Sequence, residues 1–384
     1  MNHRHRNLAN KVYLPNNARY NQYLLAEFKI TDQLLAQFAS NSGNNHADTA
    51  KPYQAFYQAL SERFFQASES AGIENVHFIA NDKLPRVRFS EELRCWESAQ
   101  QLMVFYNPAY HESYKSHFDG SKWAKKVSLL FLASGDDIRT NAADFHQKVS
   151  KMLVPFLSEL GVTVGDVRLR DHQHLTYGLF ARSKGVEGTH AHTLRLIKNR
   201  YQASGVNLPE QNDTMSYVVA SLPITRRMLN LASINKNMDR TSDKPYLPLY
   251  EFLNEAFVAA AGAHKLQNGA FIANGATPII RNSGTKPEKL DNELIKLGYD
   301  PLQPRNKLVA HWNDDELVDY AQLVFSATAK NVEANGHGKF MESVDKCLRQ
   351  MAKTLNLNPE RDEITVRFHQ HLAYHVGDQS VCQE

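Results

Sequence analysis

The sequence predicts an α+β protein, with an α/β N-terminal part that contains a βαβ unit and a mainly helical C-terminal part. Residues 127–133 form a strand-sized apolar run, Thr140 can cap a helix that stops at Gly161, and a β-branched segment follows at 162–169. A strand, a helix and a strand in this order predict a crossover unit. Beyond the polar run 235–244 the apolar residues recur mainly at helical spacing.

The polar run also marks the predicted domain boundary. A chain of 384 residues fits two domains, which we place at 1–235 (α/β) and 245–384 (mainly helical). We find no internal repeat in the sequence. In the first domain, spacing and turn residues predict these elements in order: helices 16–38 and 51–71, strands 75–80 and 86–89, helix 91–105, the βαβ unit, helix 190–203, strand 215–221 and helix 224–234.

The second domain is predicted to be helical except near its end. Its elements are helices 247–261, 286–296, 304–311, 314–334 and 339–355, with a late strand at 363–368. Pro304 precedes the third of these helices and suits a first helical turn.

Composition narrows the class of protein. The hydrophobic content of 42% supports real cores, and the net charge of +3 is only mildly basic. No signal peptide and no apolar run of membrane-spanning length is found, so no membrane partner is expected. Three widely spaced cysteines without a CxxC pair predict a reducing, cytoplasmic protein, and they argue against a disulfide framework or a thiolate zinc site.

The segment 305–311 has the most specific chemistry in the chain. Arg305 and His311 lie about one and a half helical turns apart if the segment is helical. An arginine can stabilise a pentacoordinate phosphorane, and a histidine can move the proton of a 2′-hydroxyl. This pair predicts metal-independent RNA cleavage. The alternative is a capped helix in which Leu308 and Val309 face a core and His311 has a structural role.

The same segment resembles the signature of HEPN-domain proteins, many of which are ribonucleases of toxin–antitoxin and antiviral defence systems. The family pattern is an arginine, a polar residue, four to six residues and a histidine, and Arg305, Asn306 and His311 match it. The resemblance implies that Arg305 and His311 are catalytic and that Asn306 orients one of them. It also implies a homodimer that needs no cofactor or metal.

Basic residues indicate a nucleic-acid partner, RNA rather than DNA. They are interleaved with Tyr177, Tyr201 and Tyr217, and such a surface can hold a single strand by phosphate contact and base stacking. The candidate binding residues are Arg168, Arg170, Arg195, Lys198, Arg200, Arg226 and Arg227. Ordinary solvated surfaces are the alternative explanation.

Histidine clusters give further alternatives. His190 and His192 resemble the metal-binding His-x-His pair of relaxase-type nucleases, although their segment is predicted to be helical. His371 and His375 have the i, i+4 spacing that can chelate a metal on a helix, but no acidic or cysteine partner is close in sequence, which favours a tail with solvent-facing histidines.

The sequence therefore predicts a nucleic-acid-acting protein, an endoribonuclease of defence or toxin type. One alternative is a non-catalytic nucleic-acid-binding or assembly subunit of a defence or mobile-element complex. The other is a metal-dependent DNA-nicking or strand-transfer enzyme.

Overall fold

The computed structural model describes most of the chain. The described residues are 13–14, 19–41, 50–90, 95–109, 113–135, 137, 142–180, 192–193, 213–239, 241–282, 289–290, 294–299 and 308–376. No helix in these ranges is both long and apolar enough to cross a membrane.

The described chain contains both helices and strands. The helices are α1 (Asp32–Asn41), α2 (Gln54–Ser70), α3 (Ala142–Glu159), α4 (Arg226–Lys236), α5 (Leu247–Ala263) and α6 (Ala329–Thr354). The first strands are β1 (Tyr13–Leu14), β2 (Arg19–Lys29), β3 (Asn75–Ala80), β4 (Leu84–Phe89), β5 (Cys95–Glu97), β6 (Gln101–Tyr106), β7 (Ser113–Phe118), β8 (Lys126–Leu132) and β9 (Arg168–Gly178). The later strands are β10 (His192–Thr193), β11 (Asp213–Pro223), β12 (Gly269–Ala273), β13 (Thr277–Asn282), β14 (Lys289–Leu290), β15 (Leu294–Tyr299), β16 (Leu308–Trp312), β17 (Tyr320–Ser326) and β18 (Thr365–His375).

A ten-stranded sheet has the order β16-β12-β17-β11-β18-β9-β2-β8-β3-β7, and two three-stranded sheets have the orders β4-β6-β5 and β13-β15-β14. The prediction of a mainly helical C-terminal part is therefore wrong, because the second half of the chain supplies five strands of the large sheet. The fold is a sheet-rich α+β fold. The βαβ expectation is only partly right, since β2 lies between β8 and β9 in the sheet.

Several predicted helices are strands in the structure. Residues 16–38 begin as β2 before α1, and the described part of 91–105 is β5 and β6. Predicted helices 286–296 and 304–311 give way to strands β14 to β16 in their described parts, and predicted helix 314–334 contains strand β17 before α6 begins at Ala329. In these short segments, cross-strand pairing and burial decide the conformation, and they override local apolar spacing. The elements predicted at 51–71, 75–80, 215–221, 247–261 and 339–355 are confirmed in type.

The order of elements repeats, so the absence of an internal repeat was a wrong prediction. The first repeat runs from β2 to β9 and the second from β11 to β18. Each consists of a strand, two helices, a strand, a three-stranded sheet, two strands, a helix and a last strand. In both three-stranded sheets the first strand pairs parallel with the third, and the second pairs antiparallel with it.

Strand register matches the central strands of the two repeats residue by residue. Phe78 of β3 pairs with Leu129 of β8 in the first repeat. Phe271 of β12 pairs with Leu323 of β17 in the second. The matched strands share the sequence Phe-Ile-Ala-Asn, starting at Phe78 and at Phe271. Residues on these matched strands of the first repeat therefore have counterparts in the second.

The chain also divides into two compact units. One contains Tyr20–Gln173, Arg200–Thr214 and His371–Glu384, and is here called the first unit; the second unit contains the remaining residues. In the first unit, apolar side chains of α1, α2 and α3 pack on one face of the sheet in a cluster that includes Phe64, Phe131 and Leu153.

Sheet β4-β6-β5 covers part of the opposite face in the first unit. Leu102 and Val104 of β6 pack with Ile79 of β3 and Leu130 of β8, and Cys95 contacts the same cluster. This packing places β5 over the face of β3 from which Ile79 projects.

A polar network lies inside the helical side of the first unit. Asp171 accepts hydrogen bonds from Gln22 Nε2 at 3.0 and 3.2 Å and contacts His146 Nδ1 at 3.1 Å. His146 Nε2 lies 2.6 Å from Tyr374 Oη, which is 3.3 Å from Ser150 Oγ. These groups bond one another in a core where an unsatisfied polar atom would be costly.

The second repeat replaces the two central members of this network by apolar residues. Gly161 and Asn356 both have a left-handed backbone conformation shortly after α3 and α6. When the two helices are aligned on these residues, Met341 is the counterpart of His146. Phe368 is the counterpart of Asp171 on the last strand. The fold therefore accepts either a polar or an apolar pair here.

Candidate metal centre

Three side chains with metal-ligating atoms converge in the first unit. They are His77 on β3, Cys95 on β5 and His117 on β7, and their ligating atoms all lie within 4.8 Å of one another. Imidazole nitrogen and thiolate sulfur are the preferred ligands of Zn²⁺.

Strand register brings the two histidines together. β3 and β7 are parallel, and Ile79 pairs with His117. Because side chains two residues apart on a strand share a face, His77 lies on the same face as Ile79 and beside His117. This is the face covered by sheet β4-β6-β5, which supplies Cys95.

The two imidazoles are in direct contact. His77 Nδ1 lies 3.0 Å from His117 Nε2, and the rings stack with centroids 5.1 Å apart. On the other side of the second ring, His117 Nδ1 lies 3.7 Å from Glu97 Oε1. Glu97 also bonds Lys83 through Oε2. A carboxylate behind a histidine can fix the tautomer that presents the other nitrogen to a metal.

Burial keeps both imidazoles neutral. Burial lowers the pKa of His77 to about 3, with smaller contributions from the charges of His117 and Lys115. Burial also lowers the pKa of His117, although the charge of Glu97 opposes this shift. Neutral imidazole is the form that binds a metal, so both rings are ready to coordinate at pH 7.

The thiol of Cys95 is less readily deprotonated for metal binding, because burial raises its pKa. Lys115 lowers this pKa in part, and Glu97 raises it. A metal ion would displace the proton, since a coordinating thiol is deprotonated. Metal binding would therefore release a proton.

The second repeat lacks this arrangement. The counterpart of His117 is His311, because Ile272 pairs with His311 as Ile79 pairs with His117. The counterpart of His77 is Ala270, which lies in an apolar cluster. The same backbone thus forms without the histidine pair, and the fold does not require it.

Three protein ligands at this spacing can hold one transition metal ion and leave a fourth position open. A site of this type can use metal-bound water or substrate at the fourth position. His77 is buried at 2% exposure, whereas the side chain of Glu97 is 41% exposed, so the site opens to solvent on the Glu97 side.

The HEPN-like segment is only partly within the described residues. Arg305 and Asn306 lie outside them, and so do Arg195, Lys198, Arg200 and His190. His311 lies on β16, a strand that pairs parallel with β12, so the helix predicted there is wrong. Catalysis by Arg305, Asn306 and His311 stays a prediction.

The described basic residues fall in different units. Arg168 and Arg170 lie on β9 in the first unit, and Arg170 Nη2 bonds Glu27 Oε2 at 2.7 Å. The exposed residues Arg226 and Arg227 begin α4 in the second unit. A nucleic-acid surface built from these residues stays a prediction.

Sequence spacing did not reveal this candidate metal centre. Its residues are separated by 18 and 22 positions and lie on three strands, two in the ten-stranded sheet and one in sheet β4-β6-β5. The available signal was His77 at the centre of a predicted buried strand, where a histidine needs a partner. The i, i+4 interpretation of His371 and His375 is wrong, because both lie on strand β18.

Residues 55–374 match the family described as "Protein of unknown function (DUF3083)". This match covers most of the chain, which therefore belongs to that family. All three candidate ligands lie within the matched range. No curated protein matches the chain.

Two solved structures of aldoxime dehydratase are weakly similar. One, in complex with butyraldoxime, is 8% identical, with 95% of this chain and 85% of that chain covered and a TM-score of 0.23. The other is 7% identical, with 95% and 90% covered and a TM-score of 0.23. Similarity at this level says nothing of function.

Proposed function

We propose that this protein binds a divalent transition metal ion, Zn²⁺ in the first place, through His77, Cys95 and His117. The observation that carries the proposal is the convergence of two imidazole nitrogens and a sulfur within 4.8 Å. Both imidazoles are held neutral by burial. A mixed nitrogen and sulfur donor set favours zinc over magnesium or calcium, which prefer oxygen.

The two repeats support a functional origin for the cluster. Burying a polar histidine has a cost that only a bonded partner offsets. At the counterpart position, Ala270 lies in a well-packed apolar cluster and incurs no such cost. His77 already has a bonded partner in His117 at 3.0 Å, so its burial alone does not demand a metal. Because the counterpart Ala270 shows that the fold does not need this histidine, the pairing of His77 with His117 beside Cys95 supports a ligand-binding role.

The direct test is a Zn²⁺ titration of metal-free protein in competition with a chromophoric chelator. Wild type should bind one ion at this centre, and Cys95→Ser and His117→Ala should each weaken that binding more than about 100-fold, beyond the usual loss for an outer partner. His311→Ala is the matched control, since it removes the counterpart of His117 in the second repeat, and it should bind like wild type at this centre.

Cobalt gives a second readout of the ligand set. Co²⁺ bound to wild type should show a thiolate-to-cobalt charge-transfer band, which Cys95→Ser should lack. Equal Zn²⁺ affinity in wild type, Cys95→Ser and His117→Ala would overturn the proposal, provided that circular dichroism shows all three proteins to be folded.

A further inference from the structure

The last strands of the two repeats share a motif. The first repeat has Arg-Asp-His-Gln-His-Leu-Thr-Tyr at 170–177, and the second has Arg-Phe-His-Gln-His-Leu-Ala-Tyr at 367–374. Six of these eight positions are identical. The two segments lie on β9 and β18, which are matching strands of the two repeats.

In the first unit, this motif contributes to a group of three rings. Tyr23 stacks on His172 with centroids 4.5 Å apart and planes 8° apart. His371 meets the His172 ring at a steep angle, with centroids 4.4 Å apart. Nitrogens of these two histidines lie within 4.8 Å of one another.

The second unit contains the same group again. Tyr217, the counterpart of Tyr23, stacks on His369 with centroids 4.5 Å apart and planes 11° apart. His174 meets the His369 ring at a steep angle, with centroids 4.5 Å apart. Both units therefore present a histidine pair whose first ring is held in place by a tyrosine.

Core packing explains only half of the shared motif. Leu175 and Leu372 are fully buried, so their identity follows from the apolar core. The histidines alternate with them on the opposite face and are half-buried. Each face has one difference, Asp171 against Phe368 on the core side and Thr176 against Ala373 on the half-open side. Core packing does not require the two identical histidines on the half-open face, and their repetition indicates a shared ligand.

We propose that each histidine pair, His172 with His371 and His369 with His174, holds one divalent transition metal ion. Imidazole is the commonest protein ligand for such ions. A ring fixed by stacking on tyrosine is restrained before the ion arrives, which lowers the entropic cost of binding. Two protein ligands leave positions for water or a small substrate.

The experiment is a Cu²⁺ titration followed by electron paramagnetic resonance in a His77→Ala, Cys95→Ser background. Cu²⁺ binds imidazole most tightly of the first-row divalent ions. The background should bind two equivalents with histidine nitrogen couplings. His172→Ala and His369→Ala should each remove one equivalent, and the combination should remove both. His375→Ala, an exposed histidine of β18, is the control and should keep two.

Two results would overturn this proposal. One is unchanged Cu²⁺ binding in both histidine variants, and the other is loss of both equivalents in either single variant. If an alanine variant loses its native circular dichroism, His172→Gln and His369→Gln keep a polar side chain and give the same test. Failure of the His77 centre would appear separately, as equal metal binding by wild type and the background.

Discussion

Acid should destabilise the metal-free first unit through His77. The buried ring has a pKa of about 3 in the folded protein, against about 6.5 in the unfolded chain. Between these values the unfolded state binds a proton that the folded state does not. The free energy of unfolding therefore falls as pH falls through this window, and it stops falling through this group below about pH 3.

The size of the effect follows from the two pKa values. Between pH 7.5 and 5.0 the difference in proton binding integrates to about 2 kcal/mol from His77 alone. His117 adds a change of the same sign, because burial lowers its pKa as well. His77→Ala removes the first contribution and keeps the second, and it installs the residue that the second repeat carries at this position.

The assay is urea unfolding in EDTA at both pH values, followed by tryptophan fluorescence, with Trp96 and Trp123 both in the first unit. The loss of unfolding free energy on acidification should be about 2 kcal/mol smaller in His77→Ala than in wild type. His375→Ala, at an exposed position, should keep the wild-type loss. Equal losses in wild type and His77→Ala would refute the claim that His77 stays neutral in the folded protein.

Three more results are expected. Glu97→Gln should weaken Zn²⁺ binding about 10- to 100-fold in the chelator competition, because the carboxylate behind His117 orients the ring; unchanged affinity would exclude this role. Zn²⁺ affinity should rise about tenfold per pH unit near neutrality, because binding displaces the Cys95 proton. Calorimetry in buffers of different ionisation enthalpy should show that wild type releases one proton on binding Zn²⁺ and that Cys95→Ser releases none. Asp171→Phe should cost about 1–3 kcal/mol in urea unfolding by leaving His146 without its acceptor, and adding His146→Met should recover much of this; a double variant less stable than the single one would contradict the match between repeats.

The local sequence pattern was enough to predict elements that are long or flanked by clear stop signals. Helix α2 and strand β3 were predicted to within a few residues, since apolar spacing and the turn at Gly72 define them. The short strands β14 to β17 were mistaken for helices. Their conformation depends on partners far along the chain, as in the pairing of β17 with β11, and no local window contains that information.

The candidate site was missed for a related reason. His77 and His117 meet through strand register, and Cys95 reaches them through packing of a second sheet. The duplicated His-Gln-His motif, by contrast, was readable from sequence. Its two copies begin 197 residues apart, so no local window contains both.

The duplication also bears on how this protein can change. Where one repeat keeps a buried polar group that needs a partner, the other repeat can carry apolar residues at the same positions. The chain shows this difference twice. Ala270 is the counterpart of His77, and Met341 and Phe368 are the counterparts of His146 and Asp171. The two repeats can therefore be compared position by position. A polar residue found in only one repeat indicates a function of that repeat, and a residue that is identical on the half-open face of both indicates a function that they share.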